Sequence, residues 1–223
     1  DDPKEAHLQL TINLYKDQKW GLMNKSLTLY QQKYGDDANH DMNEWIRINA
    51  LLKSNLTKKD RVLQASSMNL LQNLLERSTD YELKRAAFRY NMQYQLDRGD
   101  YFKGLELAKR FFVEARSQYD HDMVILASNV ILNALARLRQ DDKIAEFLSD
   151  KKLSKLLPAQ TEFAYSSYAL LIAGNSVEVI KRYRAIEKSL VKPIHPSILF
   201  NVGEALFREA EYTEAIKVLD SFV

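Results

Sequence analysis

Apolar and polar residues follow one another along this 223-residue chain with the three-to-four-residue spacing of amphipathic helices. Helical stretches of this kind cover residues 5–16, 21–34, 42–53 and 61–77, and the pattern continues to the C-terminus. The pattern breaks at Gly35, Gly99, Gly174 and Pro193, which are residue types that end helices. The polar residues 54–60 are interpreted as a loop between two helices. The pattern therefore predicts an all-α protein.

The C-terminal residues 197–223 show how these helices pair. They predict a helix, a tight turn at Glu211-Tyr212 and a second helix. Gly203 and Ala215 lie twelve residues apart, as small residues do where two antiparallel helices touch. The other contact positions are apolar: Leu199, Val202, Leu206 and Leu219. One such pair cannot bury its apolar face alone, so the pattern predicts an array of pairs.

The small position of the second helix recurs earlier in the chain. Ala215 is preceded by Val179, Ile144 and Gly104, at spacings of 36, 35 and 40 residues. Together with the N-terminal stretches, this recurrence predicts about six helix pairs, or twelve helices. The expected N-caps are Asp80, either Asp120 or Asp122, and Thr213. Pro158 is expected to open a helix, and Pro193 and Pro196 are expected to bracket a linker between repeats.

The small-aromatic-small spacing and the repeat length resemble those of the tetratricopeptide repeat. The resemblance implies a right-handed α-solenoid of about six antiparallel helix pairs. It also implies two regions, with divergent helix pairs over 1–79 and better-matched repeats over 80–223. We expect the array to continue beyond the C-terminus.

The resemblance implies that the first helix of each pair lines a concave, partner-binding surface. The positions of this chain that align with the family's concave-surface positions are Arg89, Gln93 and Asp97, then Asn129, Asn133 and Arg137, then Tyr168, and then Glu204 and Arg208. Amides can bond a peptide backbone, and arginine can bond a carboxylate. The alternative is that Asn129 and Asn133 bond a neighbouring helix. The tyrosines at 90, 94, 101, 165 and 168 are expected mainly to pack between repeats, with Tyr168 the exception.

Composition and motifs argue against nucleic-acid binding and against a catalytic role. A net charge of +2 is a poor match to nucleic-acid binding, and the absence of cysteine excludes disulfides and thiolate chemistry. The Ser-x-x-Lys spacing at Ser149 and Lys152 lacks supporting motifs and is interpreted as a solvated turn. No residue is predicted to be catalytic, and neither a cofactor nor a metal ion is expected.

His-Asp-Met occurs twice, at residues 40–42 and 121–123. The triplet could bind a metal, but helix capping by each Asp, with each Met packed behind it, is the favoured interpretation. His7 and His195 have no neighbour in sequence that suggests a role.

These observations favour a non-enzymatic protein-interaction scaffold that binds a protein or peptide. Nucleic-acid binding and membrane insertion are not expected, and the oligomeric state is left open. The cysteine-free composition and the Asp-Asp-Pro start fit a periplasmic or cell-envelope assembly concerned with motility, secretion or polysaccharide machinery. The alternatives are a cytoplasmic co-chaperone or regulatory module that binds a peptide terminus, and the docking region of a larger enzyme.

Overall fold

A computed structural model describes residues 2–35, 40–58 and 61–221, with the main chain alone for residues 40, 51–58 and 61–66. All regular structure in this part of the chain is helical, which confirms the predicted all-α class. The helices are α1 (Pro3–Lys16), α2 (Trp20–Tyr34), α3 (His40–Lys58), α4 (Arg61–Arg77), α5 (Tyr81–Asp97), α6 (Tyr101–Ser117), α7 (His121–Arg137), α8 (Asp141–Leu148), α9 (Lys151–Leu156), α10 (Ala159–Ile172), α11 (Ser176–Ile186), α12 (Pro196–Arg208) and α13 (Tyr212–Asp220), with a 3₁₀ turn at Glu187–Ser189.

The chain divides into two compact units, Asp1–Asp97 and Arg98–Val223. In the N-terminal unit each helix packs on the next in sequence, and α3 also packs on α1 and α5. Its apolar core has two clusters, one around Met23, Leu27, Ile46 and Ala50, and the other around Ile48, Met68, Leu71, Leu74 and Ala87. The predicted loop over 54–60 is wrong as far as Lys58, because α3 continues to that residue.

In the C-terminal unit, consecutive helices also pair. The helices α10, α11 and α12 all contact one another, and α12 packs on α13. One apolar cluster joins α10, α11, α12 and α13, with Phe163, Val179, Val202 and Ala215 among its buried members. The predicted small positions Gly104, Ile144, Val179 and Ala215 are all buried.

Gly203 marks the closest approach of α12 and α13. A Cβ atom added at this residue would lie 2.6 Å from both Cγ and Cδ2 of Leu219. Real side-chain contacts do not reach that distance, so the packing of these two helices depends on the missing side chain. The close approach inferred from the spacing of Gly203 and Ala215 is confirmed.

The sequence predicts about twelve helices, and the described residues form thirteen. The additional helix arises because the second helix of one predicted pair is divided into two. Helix α8 ends at Leu148 after eight residues, and the short α9 follows it. The Asp150 carboxylate caps α9 by accepting bonds from the main-chain N–H groups of Lys152 and Leu153, at 2.9 and 3.3 Å. Leu153 and Leu157 then bury their side chains, which anchors this inserted turn.

Five of the turns between helices share one backbone geometry. A single residue has positive φ, and the main-chain N–H that follows it bonds a carbonyl five residues back, as in a Schellman turn. The central residues of these turns are Gln18, Tyr119, Arg139, Gly174 and Ala210, with φ between 56° and 79°. Glycine occupies only one of these five positions, so glycine alone did not reveal the turns.

Helix capping follows some of the predicted positions. Asp80 bonds the main-chain N–H groups of Glu82 and Leu83, and Asp120 bonds that of Met123, as expected. Pro158 is the N-cap residue of α10, and Pro196 is the first residue of α12. Thr213 is not an N-cap, because α13 begins at Tyr212 and Glu211 occupies the cap position without a side-chain bond.

Candidate functional site

Helix α7 carries the polar face on which the sequence placed a partner site. Asp120 starts the helix, and its apolar side is buried through Met123, Val124, Ala127, Val130, Ile131, Leu132, Ala134 and Leu135. Asn129, Asn133 and Arg137 follow at intervals of four residues, so they lie along one face of the helix. Both asparagines are half-buried and Arg137 is exposed. We call these three residues the α7 polar face.

Asn129 contains a polar atom that has no partner. Its side-chain oxygen is shielded from solvent and accepts no hydrogen bond from the described part of the chain. A buried polar atom in this state destabilises a fold by about 1–3 kcal/mol. The half-buried Asn133 also makes no side-chain hydrogen bond with the described residues. The α7 polar face therefore carries amides that the fold itself does not use as hydrogen-bonding groups.

Arg137 ends the α7 polar face and lies among tyrosine rings. Its guanidinium carbon is 5.9 Å from the centre of the Tyr101 ring, within the range of a cation–π contact. Burial raises the pKa of Tyr165, and the Arg137 charge acts in the opposite direction. Among the described residues, no carboxylate forms an ion pair with Arg137. Its charge is thus held in place by aromatic contacts and is open to an anionic group.

The turn between α7 and α8 brings a second set of charges to α10. Arg139 and Asp141 form an ion pair, with 3.7 Å between Nε and Oδ2. The other carboxylate oxygen of Asp141 is buried and accepts no hydrogen bond from the described residues. Burial raises the pKa of Tyr168, and the Asp141 carboxylate raises it further while Arg139 lowers it. Tyr168 therefore lies at this charged turn, half-buried as expected of a residue that can still reach a partner.

The predicted residues on α12 are engaged within the chain. Arg208 donates from Nε to Glu204, at 2.9 Å, and from a terminal nitrogen to the Leu171 carbonyl, also at 2.9 Å. One turn before Glu204 on the same helix, Asn201 donates to the Ala164 carbonyl at 2.9 Å and to the Ser167 hydroxyl at 3.0 Å. These contacts attach α12 to α10, which is the structural role that the sequence offered as the alternative for Asn129 and Asn133.

The three predicted residues of the N-terminal unit lie on α5. Arg89, Gln93 and Asp97 are exposed, and Gln93 donates to the Asp97 carboxylate at 2.7 Å. They lie on α5, in the N-terminal compact unit. Within the C-terminal unit, Arg137 of α7 lies near Tyr165 of α10, and Tyr168 of α10 lies near Arg139 and Asp141 of the turn between α7 and α8.

Three contributors to this region were not singled out from sequence. Arg139 and Asp141 lie at the turn between α7 and α8, and Asn201 lies on α12. The sequence around Asn201 does carry a signal of a structural role, because a buried asparagine within an apolar helix face needs hydrogen-bond partners. Nothing local shows that these partners lie 34 and 37 residues earlier on α10.

The His-Asp-Met triplets do not form caps. Asp120 caps α7, and Asp122 lies in the first turn, so capping by Asp122 is wrong. Asp41 also lies inside its helix, where it pairs with Arg77 at 3.3 Å. Met123 is fully buried as expected, but Met42 is exposed. Across the described ranges, no group of three or more potential ligands is arranged to hold a metal ion.

Two histidines have structural roles that the sequence did not indicate. A ring nitrogen of His7 is 2.9 Å from the Ser26 carbonyl and 3.0 Å from its hydroxyl, which links α1 to α2. His195 caps α12 by accepting a bond from the main-chain N–H of Ser197, at 3.2 Å. At the Ser-x-x-Lys spacing, Ser149 donates to the Glu146 carbonyl at 2.7 Å, as a residue that ends a helix.

Comparison with known proteins adds no family to these observations. No protein-family model matches the chain, and a comparison with curated proteins finds no match either. None of the helices in the described residues has the length and apolar character required to cross a bilayer.

Proposed function

We propose that this chain is a non-enzymatic scaffold of the tetratricopeptide-like, right-handed α-solenoid type, which binds an extended peptide segment of another protein. The proposed contact residues are Asn129, Asn133 and Arg137 of α7, together with Tyr168 of α10. The amides would bond the peptide backbone, and the arginine would bond a carboxylate on the peptide. Arg208 is left out of this site because its donors are already engaged.

The repeated packing supports the solenoid part of the proposal. The buried small positions recur at Ile144, Val179 and Ala215, and the Schellman turn recurs between the helices of the same pairs. Within the C-terminal unit, α10 packs on α11 and α12, so each pair rests on the next. Proteins built in this way present continuous faces that suit extended ligands.

The unpartnered amide oxygen of Asn129 carries the binding part of the proposal. Natural folds satisfy most buried polar atoms, and exceptions occur preferentially where a residue serves something other than folding. The contrast with Asn201 makes the exception specific, because the same residue type is fully bonded on α12. A ligand backbone could satisfy the α7 amides after a small rotation of their side chains.

A displayed library of random twelve-residue peptides tests this function. Peptides enriched on the wild-type protein are compared on the double variant Asn129→Ala, Asn133→Ala and on the matched control Asn175→Ala. Asn175 is an exposed turn residue whose side chain makes no cap bond. Loss of two net hydrogen bonds should weaken binding about tenfold in the double variant, and the control should bind normally.

The proposal fails if no peptide sequence is enriched, or if the enriched peptides bind the double variant as tightly as the wild type. Thermal melting of all three proteins checks that any loss of binding is not a loss of fold.

A further inference from the structure

Four exposed apolar side chains lie at the C-terminal helix pair. Phe200 and Phe207 of α12 are 57% and 59% exposed, and Ile216 and Leu219 of α13 are 59% and 36% exposed. Phe200 and Phe207 are two helical turns apart, and Ile216 and Leu219 are one turn apart, so each pair shares a helix face. We call these four residues the end face. Exposed apolar groups of this kind mark interaction sites.

The preceding helix pair contains a counterpart of the end face. Val179 and Ala215 occupy equivalent positions 36 residues apart. The same shift of 36 residues superimposes the sequence of α10 on that of α12 and the sequence of α11 on that of α13. The same shift relates the four end-face residues, in order, to Ala164, Leu171, Ile180 and Tyr183. All four counterparts are buried in one apolar cluster that includes residues of α12. The end face thus corresponds to a surface that another helix covers one repeat earlier.

Helix α12 is the element that covers the earlier surface. Its residues Ile198, Val202 and Ala205 are fully buried in that cluster. Two hydrogen bonds also hold α12 in this position: Asn201 donates to the Ala164 carbonyl, and Arg208 donates to the Leu171 carbonyl. An apolar stripe with a basic residue at its C-terminal end is therefore the chemistry that fits this kind of surface.

The end face offers the same anchor point for a basic residue. Phe207 is the counterpart of Leu171, and both carbonyls accept a main-chain bond of 3.1 Å from the positive-φ residue of the following turn, Ala210 or Gly174. At Leu171 the second lone pair of the carbonyl accepts from Arg208. The same second acceptor position exists at Phe207.

We propose that the end face binds an amphipathic helix of a partner protein, docked as α12 docks on α10 and α11. The partner helix carries an aliphatic stripe and a lysine or arginine near its C-terminal end, which reaches the Phe207 carbonyl. It has a small residue opposite Phe200, because a phenylalanine occupies the place that Ala164 has in the earlier pair.

A second copy of this chain does not supply this helix. The stripe with the required chemistry is the Ile198, Val202 and Ala205 side of α12, and in each folded copy that side is already buried. The proposal is independent of the α7 polar face, because the two surfaces share no residue.

The absence of cysteine from the chain allows a direct accessibility test. Ile216→Cys is introduced into the full-length protein, with Val177→Cys of α11 as the control, since Val177 is 64% exposed and lies outside the end face. The rate of thiol labelling is measured alone and with a synthetic peptide of residues 195–210 that carries Asn201→Ala, because Asn201 is the residue of α12 that faces Ala164, the counterpart of Phe200. A charge-reversed peptide with Arg208→Glu serves as the control ligand.

We expect both thiols to label rapidly without peptide. A peptide concentration of about ten times Kd should then slow labelling of Ile216→Cys about tenfold, leave Val177→Cys unchanged, and have less effect when charge-reversed. Slow labelling of Ile216→Cys in the absence of peptide would overturn the proposal, because the face would already be covered by the protein itself or by a second copy. Rapid labelling that the peptide does not slow would also overturn it. Phe200→Cys, at the opposite part of the end face, repeats the measurement with an independent variant.

Discussion

The contact between α10 and α12 and the α7 polar face use the same residue type in different ways. Asn201 fills its donors with a carbonyl and a hydroxyl of α10, and the apolar cluster around it is closed. Asn129 has a buried oxygen that bonds nothing in the described residues, and Arg137, about two turns further along the same helix, forms no ion pair with a carboxylate in that part of the chain. The difference shows that the role of an asparagine in a helix array depends on the neighbouring helix. We interpret the first region as structural and the second as a binding surface.

The largest expected effect is on the closed contact. Asn201→Ala should lower the free energy of unfolding by about 2–3 kcal/mol, because it removes two hydrogen bonds and leaves a small cavity. Chemical denaturation at neutral pH measures the change. An unfolding free energy within error of the wild type would remove the structural half of the comparison.

Alkaline pH gives a second probe of the closed contact. Burial, aided by the Glu187 carboxylate that accepts its hydroxyl hydrogen, raises the pKa of Tyr183 from 10.0 to about 12. The folded protein then keeps this proton longer than the unfolded chain does, so the contribution is complete below pH 10 and is lost as the pH rises through 12. At about 1.4 kcal/mol per pKa unit, the loss is about 3 kcal/mol at most.

Spectrophotometric titration compares the wild type with Tyr183→Phe. The phenylalanine variant should lose less stability between pH 10 and pH 12, and should lack one late-titrating tyrosine. Identical titration curves for the high-pH component would contradict the burial of this hydroxyl.

Two turns allow the same substitution to be compared near the α10–α12 contact and near the α7 polar face. Ala210 and Arg139 both have positive φ, at 60° and 56°, where glycine is favoured. Ala210→Gly and Arg139→Gly should each raise the unfolding free energy by about 0.5–1 kcal/mol through relief of backbone strain. Only Arg139→Gly removes a charge near Tyr168, so only that variant should change peptide binding. Equal binding by the two variants would argue against a role for the charged turn.

The smallest expected change in stability is at the α7 polar face. The double variant Asn129→Ala, Asn133→Ala should change the unfolding free energy by no more than about 0.5 kcal/mol, because the gain from removing a buried oxygen that makes no bond is offset by the lost packing of two half-buried side chains. Differential scanning calorimetry beside Asn201→Ala gives the comparison on one scale. A decrease similar to that of Asn201→Ala would assign these asparagines to the fold.

The sequence predicted the features that depend on local pattern. The helices, the small positions Gly104, Ile144, Val179 and Ala215, and the close approach at Gly203 follow from spacing within one or two helices. Asp80 and Asp120 were recognisable as caps because a cap bonds its own next turn.

The rest depends on backbone geometry or on distant contacts. Tyr119, Arg139 and Ala210 adopt positive φ without glycine, since the Schellman bonds of the turn are made by the main chain. The break between α8 and α9 comes with the burial of Leu153 and Leu157 and with capping by Asp150, which the helical spacing alone does not indicate. Asn201 is hydrogen-bonded and the Asn129 oxygen is not, because different atoms of other helices face them. The identity of an asparagine in the sequence does not show which atoms will face it.

The most direct test of the central claim measures melting temperature and peptide affinity on the same three proteins. These are the wild type, Asn129→Ala with Asn133→Ala, and Asn201→Ala, each with a peptide selected on the wild type. Our account predicts that the α7 variant melts with the wild type and binds about tenfold more weakly, and that Asn201→Ala melts several degrees lower and binds normally while folded. The reverse pattern, with reduced melting for the α7 variant and retained affinity, would contradict it.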